Sequence, residues 1–309
     1  MELLRKNSPP VSSSGEAGRA SAGMINKKTL RDRLREYKRS PLSALLHLLV
    51  ILAAAVTAAA LLFIIVYILV NGIPNLKPSL FSLTYTSENV SMLPSIVNTL
   101  IMAVLSLLIA GPLGIFAAIY LVEYAGRGNK LVSVIRMTAE TLSGIPSIVY
   151  GIFGMIFFVT AMHLGYSILA GALTMSIMIL PLIMRTTEEA LQSVPDAYRE
   201  GSFGLGAGRL RTVFRIVLPS AVPGILAGVI LAVGRVIGET AALIFTAGTV
   251  AEIPDNLLSS GRTLAVHMYQ LSREALHTGE AYATAVVTLL VVLALNTLSA
   301  LIARKITRR

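Results

Sequence analysis

Residues 40–76 read SPLSALLHLLVILAAAVTAAALLFIIVYILVNGIPNL and contain no Lys, Arg, Asp or Glu. A transmembrane helix needs about 20 consecutive apolar residues, so this block is long enough to cross a bilayer. The same four residue types are also missing from residues 89–122, 141–184 and 281–303. The chain of 309 residues is 55% hydrophobic and only 14% charged. Because a soluble core does not need such long uncharged blocks, the sequence predicts an all-α integral membrane protein.

Six transmembrane helices fit these blocks, at roughly 42–70, 95–122, 139–162, 166–184, 217–248 and 281–303. The longest block is divided near His163, because a single helix over it would be about 66 Å long, twice the hydrocarbon thickness. The first block is too long for the apolar region of a cleavable signal peptide. The sequence therefore predicts a disordered, basic cytoplasmic tail at 1–40 and a six-helix domain at 41–309.

The distribution of positive charge predicts how the helices are oriented. All but four of the 26 Lys and Arg residues lie in the tail, in the second and fourth loops or after the last helix. The four exceptions are Lys77, Arg235, Arg262 and Arg273. Positively charged loops favour the cytoplasmic side, so both termini are predicted to be cytoplasmic. Because no stacking aromatics are interleaved with the basic residues, the net charge of +10 does not indicate a nucleic-acid site.

Other residue types limit the chemistry that the chain can perform. It has no cysteine, which excludes a disulfide, a thiolate nucleophile and a Cys metal site. Glu188 and Glu189 are adjacent carboxylates that we assign to a solvated charged face. None of the four histidines has metal-ligand spacing to another residue, and we expect ordinary interfacial histidines at His47, His163, His267 and His277. The sequence therefore predicts no metal site and no catalytic site.

The fourth loop, residues 188–219, reads EEALQSVPDAYREGSFGLGAGRLRTVFRIVLP and predicts two short helices joined by a glycine-rich turn. Its spacing resembles the EAA loop of ABC importer permeases, in which the ATPase-coupling residues would be Glu200, Gly201, Ser202, Gly206, Ile216, Leu218 and Pro219. Gly201 and Ser202 replace the two alanines of that motif. The chain has no G-x-x-x-x-G-K-[ST] sequence, so any ATPase must be another polypeptide.

The resemblance extends over about residues 42–305. The segments NGIP (71–74), SGIPSIVYGIFG (143–154), GRVIGETAALIFTAG (234–248) and residues 263–287 are similar to the PstA-type permease of phosphate ABC importers. This resemblance implies a MetI-like six-helix permease in a bacterial or archaeal plasma membrane. The implied partners are a PstC-type sister permease, two copies of a PstB-type ATPase that uses ATP and Mg, and a periplasmic or lipid-anchored PstS-type phosphate-binding protein. No cofactor is expected on this chain.

Two charged residues interrupt the fifth predicted helix. Arg235 and Glu239 lie four residues apart, which would place them on one helical face. One interpretation is an intrahelical ion pair that makes both charges tolerable, or a pairing with polar groups on a neighbouring helix. In the other, Arg235 contacts a crossing phosphate, Glu239 offsets its charge or takes a proton, and Thr240 adds a donor, because intramembrane ionisable residues commonly mark substrate pathways.

A second candidate part of the pathway is residues 140–151, ETLSGIPSIVYG. Pro146 has no backbone N–H, so a kink or an unwound turn is expected, and Ser143, Ser147 and Tyr150 are candidate lining residues. The resemblance favours phosphate as the substrate. An ABC permease for another oxyanion, sulfate or molybdate, and a secondary anion transporter remain the alternatives.

Overall fold

The computed structural model describes residues 41–126, 128–274 and 276–307, and the predicted tail at 1–40 lies outside them. The chain divides into two compact units between Ile65 and Val66. All regular elements of the described residues are helical. The α-helices are α1 Pro41–Gly72, α2 Leu93–Ile119, α3 Lys130–Ser143, α4 Ser147–Gly154, α5 Ile168–Gln192, α6 Asp196–Gly204, α7 Arg209–Thr212, α8 Leu218–Gly238, α9 Ala241–Ile244, α10 Leu264–Glu274 and α11 Thr278–Thr307.

Five helical segments in the described part of the chain are long and apolar enough to cross a membrane. They contain α1, α2, α5, α8 and α11, and the number becomes six if α3 and α4 together form one span. These lengths confirm the prediction of a multi-helix membrane protein. The division near His163 is also confirmed, because His163 and Gly165 adopt positive φ values of 55° and 63° between two helical segments.

The core of the second unit lies where α2, α5 and α8 meet α4 and α9. Its fully buried side chains include Met175, Ile179 and Leu243. Small residues allow the helices to approach closely: a Cβ atom at Gly114 of α2 would lie 3.0 Å from the Ile183 side chain of α5. Close packing of small residues is a common source of helix association in membranes, where lipid removes the hydrophobic driving force.

The third predicted helix differs from the structure at its start. Residues 139–143 belong to α3, and the chain bends by 100° between α3 and the segment 147–161. Pro146 cannot donate a backbone hydrogen bond, which explains why the helix breaks there. The expected kink is confirmed, but a single helix over 139–162 is wrong. Helix α3 begins on its own cap, since the Asn129 side chain accepts a hydrogen bond from the Leu131 N–H at 3.0 Å.

The fifth predicted helix, 217–248, is also wrong in its second half. Helix α8 ends at Gly238, and Glu239 has an extended backbone with φ −75° and ψ 130°. The short helix α9 follows at Ala241–Ile244. Apolar composition continues through Phe245, so hydropathy gave no signal of this break.

The two broken segments pack against each other through Gly151. A Cβ atom there would lie 2.8 Å from the Cα atom of Ala242 in α9, a backbone contact that cannot move easily. We therefore expect Gly151→Ala to destabilise the protein by about 1–3 kcal/mol through overpacking. The measurement is the midpoint of thermal unfolding in detergent. Gly111→Ala is the matched control, because nothing outside its own helix lies within 4 Å of a Cβ atom there. Equal midpoints for both variants would contradict this close approach.

Candidate functional site

Arg235 lies in the last turn of α8, close to the break that ends the helix. Its side chain is half-buried. Within residues 41–126, 128–274 and 276–307, no carboxylate forms an ion pair with it. The free carbonyl groups at a helix C-terminus favour a positive charge, which helps to explain why Arg235 is tolerated there. Its guanidinium also donates no hydrogen bond to another described residue, so its N–H groups are available in this part of the chain.

Glu239 does not pair with Arg235, so the interpretation as an intrahelical ion pair is wrong. Its Oε1 atom accepts a hydrogen bond from the Ala242 N–H at 3.1 Å, and it thereby caps the start of α9. The Thr240 carbonyl accepts from the Ile244 N–H in the same turn. The shared helical face expected for residues 235 and 239 does not exist, because α8 ends between them.

Tyr150 joins the two sides of the first break. Its hydroxyl donates a hydrogen bond of 2.8 Å to the Leu142 carbonyl of α3, and its side chain is 5% exposed. Ser147 is half-buried at the first residue of α4, and Ser143 is exposed at the end of α3. The structure therefore packs the helix that carries Tyr150 against the segment that follows the break after Arg235, through Gly151 and Ala242, and leaves Ser143 exposed at the end of α3.

The predicted coupling loop forms an elbow of two short helices. Helix α6 ends at Gly204, Gly206 turns the chain with φ 83°, and α7 continues through a π-helical turn, Val213–Val217, into α8. The Ser202 and Thr212 hydroxyls share a buried hydrogen bond of 2.8 Å between the two arms. Glu200, Gly201 and Gly206 are exposed. The expected helix–turn–helix shape of this loop is confirmed.

The rest of the predicted coupling set continues into α8. Ile216 and Leu218 are half-buried, and Pro219 is exposed. Because α7, the π-helical turn and α8 follow one another without a loop, movement of the elbow has a direct route into the helix that carries Arg235. The roles of these residues stay predictions.

An ion pair fixes the elbow to the π-helical turn Tyr120–Tyr124 that follows α2. The Arg199 guanidinium lies 2.7 Å from Glu123 Oε1, and the two side chains are only 15% and 8% exposed. Arg199 also donates to the carbonyl groups of Val194 and Leu191, at 2.8 and 3.0 Å. This pair borders a groove of about 1140 Å³ beside α6. The two residues are far apart in sequence, so no local pattern indicates the contact.

The adjacent carboxylates are only partly as expected. Glu189 is exposed and pairs with Arg185 at 3.1 Å. Glu188 is buried and pairs with Arg136 of α3, so its assignment to a solvated face is wrong. In the described part of the chain, no group of three or more His, Asp or Glu residues has the arrangement of a metal site.

A second set of residues missed from the sequence lies at the opposite end of α2, about 40 Å from the elbow if the rise of α2 is 1.5 Å per residue. Five buried polar side chains there carry atoms without a hydrogen-bond partner; we call them the Arg262 cluster: Ser95, Asn98, Arg262, Thr263 and His267. The available signal was that Arg262 is one of the few basic residues outside the predicted cytoplasmic segments.

His267 is fully buried, so the expectation that it is an ordinary interfacial histidine is wrong. Burial, and to a smaller extent the charge of Arg262, together lower its pKa from the ordinary value of 6.5 to about 3. The Val90 carbonyl opposes this shift, but it does not reach hydrogen-bond geometry with the ring. The imidazole is therefore neutral at physiological pH.

This lowered pKa predicts a loss of stability in mild acid. As the pH falls below 6.5, the unfolded chain binds a proton at His267 while the folded protein does not. The contribution of neutral His267 to the free energy of unfolding is thus complete above pH 6.5. It is lost progressively down to about pH 3, by up to about 1.4 kcal/mol per pH unit. We expect the unfolding midpoint of the wild type to decrease more between pH 8 and pH 5 than that of His267→Gln.

The matched control for this pH series is His163→Asn. His163 is exposed, and asparagine tolerates its positive φ of 55°. The control should keep the pH slope of the wild type. A His267→Gln variant with an unchanged slope would contradict the assignment of a neutral, buried imidazole.

The fold and this geometry define a class of protein: a multi-pass helical membrane protein with two broken helical segments, an arginine beside one of the breaks and an elbow of short helices leading into one span. Residues 110–309 match the family of the binding-protein-dependent transport system inner membrane component, and the chain belongs to this family. It is an ABC transporter permease subunit of a multi-pass inner membrane type, which confirms the resemblance identified from the loop.

Named relatives and solved structures agree with this family. The chain is 37% identical over 227 residues to the probable ABC transporter permease protein YqgI of Bacillus subtilis, covering 68% of this chain and 76% of YqgI. It is 35% identical over 215 residues to the phosphate transport system permease protein PstA 1 of Mycobacterium tuberculosis, covering 69% of each.

The fold is similar to that of a solved bacterial alginate ABC transporter in complex with its alginate-bound periplasmic protein. The TM-score is 0.65 at 16% identity, covering 88% of this chain and 98% of the other. This likeness supports the permease fold alone. The relatives and this structure carry different names, so the substrate of this chain must be argued from its own site.

Proposed function

We propose that this chain is a PstA-type permease subunit that carries inorganic phosphate into the cytoplasm in an ATP-driven importer. The observation that carries the proposal is Arg235, a half-buried arginine beside the break that ends α8, without a carboxylate partner among the described residues. A guanidinium offers a planar fork of donors that suits a phosphate oxyanion. The similarity to PstA 1 supports phosphate over other oxyanions.

The other side chains of the junction have assisting roles in this proposal. Tyr150 is held by Leu142, so it fixes the shape of the first break, which packs against α9. Glu239 holds α9 in place and supplies a negative charge near the path. A translocation site must also release its cargo, and a nearby carboxylate limits how tightly an anion is held.

Transport in this direction requires an energy source. Moving a dianion inward against a negative-inside potential costs roughly 2 × 2.3 kcal/mol per 100 mV, so a passive pore would leak phosphate outward. ATP hydrolysis by two PstB-type subunits with Mg would supply this energy. The exposed face of α6, with Glu200 and Gly201, would receive the ATPase, and α7 would transmit its movement into α8. A PstC-type permease would complete the pathway, and a PstS-type protein would deliver phosphate.

Reconstituted transport tests the proposal. The chain is assembled in proteoliposomes with its sister permease, ATPase and binding protein, with ATP enclosed, and uptake of labelled phosphate is measured. We expect uptake that requires ATP, resists a tenfold excess of sulfate or molybdate, and survives removal of the proton gradient.

Each alternative function predicts a different result in the same assay. Transport of labelled sulfate or molybdate without phosphate uptake would replace the substrate and keep the ABC class. Uptake that follows a proton gradient and needs no ATP would indicate a secondary anion transporter and overturn the proposal.

A further inference from the structure

The Arg262 cluster contains most of the unsatisfied buried polar atoms of the described residues. Seven of the nine such side-chain atoms belong to it: Ser95 Oγ, Asn98 Oδ1, Arg262 Nε and Nη2, Thr263 Oγ1, and both ring nitrogens of His267. Buried polar groups in native proteins almost always have partners, and a group without one commonly indicates a missing water or ion. A concentration of them at one place therefore indicates an occupant.

These residues form one local site, although they come from two distant parts of the sequence. The Asn98 amide donates to the carbonyl groups of Glu252 and Arg262, at 2.9 and 3.2 Å. At the next residue of α2, Thr99 Oγ1 accepts a hydrogen bond from the Leu264 N–H at 2.8 Å. These bonds hold the start of α2 against the segment that begins α10.

Tyr85 closes another side of the site. The Arg262 guanidinium lies over its ring at 4.5 Å from the centroid, and the ring meets the His267 imidazole edge-on at 6.3 Å. A cation–π contact offsets part of the cost of burying the Arg262 charge. The Tyr85 ring contacts the flat face of the guanidinium, whereas the N–H groups at Nε and Nη2 lie in its plane. The cation–π contact therefore gives these two groups no hydrogen-bond acceptor.

The chemistry of the cluster is that of an anion site. Arg262 is 6% exposed and always protonated, and no carboxylate in the described residues pairs with it. Ser95, Thr263 and the neutral His267 ring add further N–H and O–H donors. A water molecule would accept some of these hydrogen bonds but would leave the charge uncompensated. An oxyanion supplies several acceptors and the opposite charge together.

We propose that the Arg262 cluster is an oxyanion-binding site, separate from Arg235 and at the other end of α2 from the coupling elbow. The site takes a tetrahedral oxyanion such as inorganic phosphate; this choice of anion rests on the proposed function. Because the predicted orientation places this end of the helices outside the cell, the site would hold an anion on the side where the substrate arrives. A carboxylate presented by a docked binding protein has the same chemistry, so the experiment separates the two sources.

The test measures binding of labelled inorganic phosphate by equilibrium dialysis. It uses the assembled permease–ATPase complex in detergent, without the binding protein and without nucleotide. We expect Arg262→Gln to weaken the phosphate affinity roughly 10- to 100-fold, because a charged donor pair is lost. Arg262→Lys, which keeps the charge but not the fork, should weaken it less and covers the case that the glutamine variant does not assemble.

Two further variants complete the design. Arg273→Gln changes an exposed arginine on the neighbouring α10 and should bind phosphate like the wild type. Arg235→Gln should keep the binding that depends on Arg262, although we expect it to lose transport. Chloride at the same concentration should not displace the label, because it lacks the several acceptor atoms of an oxyanion.

Three results would overturn the inference. They are equal affinity of Arg262→Gln and wild type, no phosphate binding by an assembled wild-type complex, or an effect of Arg262→Gln confined to the affinity for the binding protein. The last result would assign Arg262 to a carboxylate of that partner. Phosphate uptake by the wild type is measured separately. If the Arg262 cluster does not bind phosphate but uptake occurs, the proposed function still stands. If uptake does not occur, the proposed function fails whatever the Arg262 cluster binds.

Discussion

Arg235→Gln is expected to reduce ATP-driven phosphate uptake roughly 100-fold or more, because two hydrogen bonds from a charged donor at about 1.5–3 kcal/mol each are lost. The side chain has no ion-pair partner in the described chain that would compete for these donors. Arg235→Lys keeps the charge and loses the planar fork, so an intermediate rate is expected. Initial uptake rates in proteoliposomes, normalised to the amount of assembled complex, provide the measurement.

Two variants separate transport from structure at this junction. Arg273→Gln removes an exposed arginine and should transport normally. Glu239→Gln keeps an oxygen that can accept the Ala242 N–H, so a pure helix cap would tolerate it, whereas a proton-accepting carboxylate would not. Full uptake by Arg235→Gln would make Arg235 a residue that only stabilises the end of α8. The path would then have to be sought between Gly144 and Tyr150.

Arg199→Gln is expected to uncouple the elbow from the membrane helices and to abolish transport. The substitution leaves Glu123, 8% exposed, as a buried charge without its partner. Removing one member of a buried pair typically costs 3–5 kcal/mol. Helix α6 also loses the hydrogen bonds from Arg199 to Val194 and Leu191, which fix its start. Uptake and ATP hydrolysis are measured on the same proteoliposomes, and we expect the ratio of phosphate transported to ATP hydrolysed to fall.

The control and the double variant make this prediction specific. Asp196→Asn removes a 73% exposed carboxylate that also contacts Arg199, at 3.2 Å, and should change stability by less than about 1 kcal/mol. The combination of Glu123→Gln with Arg199→Gln should be less damaging than the sum of the single variants, because no unpaired charge remains. An unchanged transport ratio in Arg199→Gln would show that this pair does not hold the elbow for coupling.

Much of the fold was predictable because its signals are local in sequence. Charge-free blocks gave the membrane class, and Pro146 indicated the first break. Glycines 204, 206 and 208 indicated the turn of the elbow, and Gly206 has the positive φ that such a turn needs. The loop spacing from Glu200 to Pro219 identified the ABC permease class, which the family match confirms.

The candidate site was predicted in its residues but not in its geometry. Arg235 and Glu239 stand out as charges in an apolar segment, and this pattern suggested one helical face. The break after Gly238 separates them, and the Glu239 carboxylate turns to the Ala242 N–H. Hydropathy cannot indicate such a break, because the residues on both sides of it are equally apolar.

The sequence by itself determined that this protein is a helical membrane permease and which intramembrane charge is exceptional. Those properties depend on composition and on spacing within single segments. Only the tertiary structure decided that Arg199 meets Glu123, that Gly151 meets Ala242, and that Arg262 and His267 are buried together with atoms that have no hydrogen-bond partner among the described residues. Each of these contacts joins or encloses residues from different helices. Their burial and partners depend on how the helices pack, and no periodicity along one segment records that packing.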